Sequence, residues 1–169
     1  VRAVTTRAGG VPLYAVEFVR MLLASGDLAR GDDGFTFIGP ISDLAVPDTL
    51  AAVIGARLDR LDQADRELVQ DAAVLGQSFT LQGLAAVRGV TPPTLVEPLR
   101  ALVRHEMFEL DEDARSAERG QYRFVQGLIR EVAYARLSRA DRHLRHRRVA
   151  EHFAGLGESE LAGIVASHF

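Results

Sequence analysis

Met107-Phe108-Glu109-Leu110, a polar loop over 111–120, and Tyr122-Arg123-Phe124 decide the fold. Phe108 and Leu110, then Tyr122 and Phe124, alternate with period two. One face of an antiparallel hairpin requires this, because successive strand side chains point to opposite faces. Upstream, the period becomes helical. Asp62 offers an N-cap, with Asp65 placed to favour the helix dipole. The buried face of that helix is Leu68, Val69, Ala72, Ala73 and Leu75, and Gly76 ends it. A short helix follows Thr80, with Leu81, Leu84 and Val87 inward. Thr91-Pro92 opens another, carrying Leu95, Leu99, Leu102 and Val103. Pro98 inside it is expected to kink it or cost ~3 kcal/mol.

Three short helices followed by such a hairpin is the layout of a winged-helix domain, here over 62–125. On its N-terminal side, Pro12 after Gly9-Gly10 suits a first helical turn, where its missing N–H is no loss. Ala15, Phe18, Val19, Leu22 and Leu23 fall at helical spacing, and Gly26 is the expected stop. Residues 27–47 carry turn chemistry around a β-like run, Phe35-Thr36-Phe37-Ile38, and read as a connector with one or two short strands. Asp48 is the expected N-cap of a second helix striped by Leu50, Val53, Ile54, Leu58 and Leu61. On the C-terminal side, Gly127 to Leu137 and Arg139 to Leu156 read as helices, and a further one begins over 158–169. The expected division is 1–61, 62–125 and 126–169, in a mainly α chain.

Composition excludes several chemistries. The 169 residues are 47% hydrophobic and 25% charged, with net charge −3, the mix of a globular chain. A chain of this length buries roughly 70% of the surface its unfolded form exposes. All 20 basic residues are arginine. Without lysine there is no G-x-x-x-x-G-K-[ST] phosphate loop and no Schiff base. Without cysteine there is no disulfide, thiolate zinc site or cysteine nucleophile. No apolar run reaches the ~18 residues of a membrane span. Val1 to Arg7 has neither an initiator methionine nor a signal-peptide pattern, so the sequence reads as a cut inside a longer, cytoplasmic protein.

Gly9-Gly10-Val11-Pro12-Leu13 reads first as a plain helix start, and second as a backbone turn that approaches a nucleotide at a helix N-terminus. Arg139, Arg142, Arg145, Arg147 and Arg148 against Asp141 give their stretch +4, leaving −7 elsewhere. Such a run is more often a helix face paired with acidic neighbours than a phosphate site. The DNA-reading helix of a winged helix would be Pro92 to His105, with Arg100 and Arg104 offset by Glu97. The wing loop 111–120 carries four acids and two arginines, which phosphate would meet unfavourably. This argues against DNA contact and for a winged helix used in protein packing. The five histidines lack metal-site spacing, no serine lies in G-x-S-x-G, and the carboxylate pairs lie in turns. The chain is read as having no catalytic residue, no metal site and no enzyme activity of its own.

Four stretches carry a resemblance. They are Arg7-Ala8-Gly9-Gly10-Val11-Pro12-Leu13-Tyr14; Val46-Pro47-Asp48-Thr49-Leu50 running to Ala56-Arg57-Leu58-Asp59-Arg60-Leu61; Ala72-Ala73-Val74-Leu75-Gly76-Gln77-Ser78-Phe79; and Tyr122-Arg123-Phe124-Val125-Gln126-Gly127-Leu128-Ile129-Arg130-Glu131-Val132-Ala133-Tyr134. In order and spacing the chain resembles STAND-type, AAA+-related signalling ATPases, above all bacterial regulators linked to a nucleotide cyclase or a LuxR-type DNA-binding domain. The resemblance implies the part after the P-loop core: a helical lid over 1–61, a winged helix over 62–125, and the start of a helical-repeat sensor arm over 126–169. It implies that Gly10, Val11, Pro12 and Leu13 lie against nucleotide. Val11 replaces an asparagine common in the subgroup. Gln126 stands where many members have a histidine that approaches the β-phosphate of ADP. Glutamine donates a hydrogen bond but carries no imidazolium charge. The expected partners are an upstream P-loop domain and an effector protein on the arm. ATP or ADP is expected in the parent protein, and no cofactor in the isolated chain. The alternatives are a winged-helix DNA-binding regulator and a helical interaction scaffold.

Overall fold

Capping residues set most element boundaries in the computed structural model, which describes residues 12–31, 34–38, 49–113, 116 and 119–155. Residues 1–61 and 62–169 are two compact units. The described residues are mainly helical, with two small antiparallel sheets.

In the first unit, α1 spans Pro12–Ser25, and Gly26, at φ +76°, takes the chain out of the helix. Strands β1 (Leu28–Gly31) and β2 (Gly34–Phe37) form a hairpin with Leu28 opposite Phe37. Helix α2 spans Leu50–Arg60. Its N-cap is Thr49, whose hydroxyl accepts the Ala52 N–H at 3.1 Å. The expected cap, Asp48, lies outside the described residues. The buried stripe of α1 is Tyr14, Glu17, Phe18, Met21 and Leu22. It is rotated from the expected one: Ala15 and Val19 are half-buried and Leu23 is exposed. The rotation buries Met21 and the stacked rings of Tyr14 and Phe18 against Leu28 and Val53. It also buries the Glu17 carboxylate.

In the second unit, α3 spans Gln63–Leu75, and the Asp62 carboxylate accepts the Asp65 N–H at 2.8 Å, as its capping role requires. Strand β3 (Ser78–Phe79) leads to α4 (Leu81–Arg88), where the Thr80 hydroxyl accepts the Gly83 N–H at 3.0 Å. Gly89, at φ +70° and ψ 36°, ends α4 in the left-handed region that only glycine adopts without strain. Pro92–Leu95 is a 3₁₀ turn, and α5 follows over Val96–Arg104. The expected kink at Pro98 is absent. The chain changes from 3₁₀ to α before it, so Pro98 sits in the first turn of α5, where its missing N–H leaves no bond unmade.

Strands β4 (Phe108–Leu110) and β5 (Tyr122–Phe124) pair antiparallel, Phe108 opposite Phe124 and Leu110 opposite Tyr122. The sequence did not suggest β3. Two residues long, it pairs with β5 and completes a sheet of order β3-β5-β4. Phe79, Phe108 and Phe124 meet edge-on there, with centroids 4.9 to 6.2 Å apart.

Helices α6 (Gly127–Ala135) and α7 (Arg139–Gly155) pack against α3 and α4. Val74, Val87, Leu137 and Val149 form one cluster. Residues 126–155 are therefore part of the second unit, and no unit boundary falls at 125/126. The expected helix over 158–169 lies outside the described residues. Among the described residues, no helix is long and apolar enough to cross a membrane.

Candidate functional site

Strand β5 aims the chain into α6, and the residues between them are held from both sides. The Phe124 N–H donates to the Gln77 carbonyl at 3.0 Å, and the Gln77 side-chain amide donates to the Phe124 carbonyl at 2.9 Å. The Val125 N–H donates to the Met107 carbonyl at 3.2 Å. This fixes Gln126 as the N-cap of α6, half-buried, with extended backbone (φ −145°, ψ 137°). Its carbonyl accepts the Ile129 N–H at 3.1 Å, while its side chain does not cap the helix. The nearby cation Arg130 donates through Nε to the Ala73 carbonyl at 3.0 Å. Gln126 therefore places a neutral amide, with no full positive charge, at the N-terminus of α6.

The other candidates belong to the first unit. Gly10 and Val11 lie outside the described residues. Pro12 opens α1 and is exposed, and Leu13 beside it is half-buried.

The arginines of α7 are largely engaged by the protein itself. Arg145 Nε meets Asp71 Oδ1 at 2.5 Å, and its Nη1 lies 3.3 Å from Asp141. Arg148 donates to the Val87 carbonyl at 3.0 Å. Arg142 donates to the Ala135 carbonyl at 3.0 Å, with its guanidinium carbon 4.8 Å from the centre of the Tyr134 ring. Arg147 pairs with Glu151 at 3.6 Å, and His143 is exposed. On the helix and hairpin that would face DNA, Arg100 pairs with Glu97 at 2.5 Å and Arg123 with Glu109 at 2.6 Å. Asp111 organises the loop after β4: it accepts the Ser116 hydroxyl at 2.5 Å and the Asp113 N–H at 3.0 Å. Those bonds hold its carboxyl below the usual range. Among the described residues, no group of three or more histidines, aspartates and glutamates is placed to hold a metal.

Sequence reading missed two buried carboxylates. Glu17 has no exposed surface and receives Arg57 and Arg20, the latter at 2.7 Å. Asp71, 6% exposed, receives Arg88 at 2.7 Å as well as Arg145. Burial raises the Asp71 carboxyl above the usual range, against the pull of Arg145 and Arg88. The available signal was position: Glu17 lies three residues after Tyr14 and four before Met21, and Asp71 three after Leu68. Both fall on the apolar period of their helices. No protein-family model, curated protein or solved structure matches the chain.

Proposed function

We propose that this chain is the regulatory lid and winged-helix module of an ATP-dependent signal-transduction ATPase of the STAND type. It would have no catalytic power of its own and would control a transcription-factor or cyclase output. The observation that carries the reading is the second unit's order of helix, strand, helix, helix and hairpin, with its sheet ordered β3-β5-β4. Two of the quoted motifs, Ala72 to Phe79 and Tyr122 to Tyr134, lie along that order. The internal pairing of its arginines supports a module that packs on protein rather than nucleic acid.

In this reading an upstream P-loop domain of the same cytoplasmic protein holds ATP or ADP. The resemblance would set Gly10, Val11, Pro12 and Leu13 against the nucleotide. An effector on the helical arm biases a closed–open equilibrium, which requires different contacts in the two states. The residues encoded ahead of Val1 should include a strand followed by G-x-x-x-x-G-K-[ST], and a parent protein lacking that loop overturns the reading. A mobility-shift titration separates it from a DNA-binding regulator: the module gives no shift at micromolar protein. A shift that weakens steeply with salt would favour DNA binding instead.

A further inference from the structure

Asp71 ties together three helices: it lies on α3, with Arg88 of α4 on one oxygen and Arg145 of α7 on the other. The hold on α7 is mostly polar. Of its 17 residues, only Val149 and Ala150 belong to the fully buried apolar core. Phe153, half-buried, adds to the Val149 cluster, and the other contacts are polar: Arg145 on Asp71, Arg148 on the Val87 carbonyl, Arg142 on the Ala135 carbonyl and over the Tyr134 ring, and a 2.9 Å hydrogen bond between His146 Nε2 and the Tyr134 hydroxyl. Helix α3, by contrast, buries Leu68, Val69, Ala72, Ala73 and Val74. Removing α7 would not strand the Asp71 anion, because Arg88 stays with it. Buried ion pairs add little net stability, since desolvation offsets their attraction, but their geometry selects one arrangement. Segments held by few apolar contacts open below the global unfolding free energy.

We propose that α7 is a releasable helix, which leaves and re-docks on the α3–α4 face in one register set by the shared Asp71 anchor. Release would uncover Val74, Val87 and Leu137, an apolar face that α7 otherwise covers through Val149. The device needs no ligand and stands apart from the nucleotide reading.

Amide hydrogen exchange on the full 169-residue chain, comparing wild type with Arg145→Gln and Arg145→Lys, tests it. The amides of 146–150 report α7 and those of 68–74 report α3. Arg145→Gln is expected to speed exchange over 146–150 by at least about tenfold and leave 68–74 unchanged. Arg145→Lys, which keeps a cation in reach of Asp71, should recover part of the protection. Equal acceleration in both segments, or no change in either, would overturn the proposal.

Discussion

Glu17→Gln is the sharpest probe of what holds the first unit together. The Glu17 side chain has no exposed surface and that of Arg57 is 5% exposed. The small values measured for surface ion pairs, about 0–1 kcal/mol, therefore do not apply. Arg20, 25% exposed, can turn to water when the carboxylate is lost, whereas the Arg57 guanidinium stays buried beside a neutral amide. Breaking one side of such a pair costs about 3–5 kcal/mol, a large part of a typical domain stability of about 5–15 kcal/mol. Arg57→Met should cost less, because Arg20 stays with the Glu17 carboxylate. The double variant Glu17→Leu with Arg57→Met removes both charges and should lie within about 1 kcal/mol of wild type. Urea unfolding read from the α1 amides by NMR reports this unit alone. With the single variant Glu17→Leu added, Glu17→Leu, Arg57→Met and their double form a double-mutant cycle with a coupling energy of at least about 3 kcal/mol. Single losses below about 1 kcal/mol, or a double variant that loses the sum of the singles, would refute a buried, mutually dependent pair.

The remaining predictions concern the second unit. Phe108→Ala removes a 1%-exposed ring lying 5.0 Å from Phe79 and 4.9 Å from Phe124, and should cost about 3–5 kcal/mol in denaturant unfolding. Thr80→Ala removes the acceptor of the Gly83 N–H and should cost about 0.5–2 kcal/mol, with faster exchange at the start of α4. Gly89→Ala puts a side chain at φ +70° and should cost about 1 kcal/mol by the same measurement; a neutral result would show that α4 does not end as described. The Ser138 hydroxyl holds the Asp141 carboxyl below the usual range. A lowered native value stabilises the fold above the ordinary carboxylate range, and that contribution is lost as pH falls through the Asp141 titration. In an NMR titration, Ser138→Ala should move the Asp141 midpoint upward.

Features that depend on one residue and its near neighbours were legible in the sequence. Asp62 caps where expected, a helix follows Thr80, Gly26 ends α1, and the alternation of Phe108/Leu110 with Tyr122/Phe124 gives the hairpin. Features that depend on distant partners were not. Strand β3 is too short to show a period and exists through β5, more than forty residues away. Glu17 is tolerated on the buried side of α1 because Arg57, forty residues on, answers its charge. The Asp71 anchor joins residues 74 apart. Of the candidate site, Pro12 at a helix start and Gln126 at the strand-to-helix junction follow from local chemistry.

The most direct test of the central claim is calorimetric titration of ADP into the parent protein and into the 169-residue chain under the same conditions. The account predicts saturable binding by the parent and little by the chain, because the chain has no lysine and the proposed upstream domain would supply the P-loop one. Binding by the isolated chain as tight as that of the parent, or no binding by either, would contradict it.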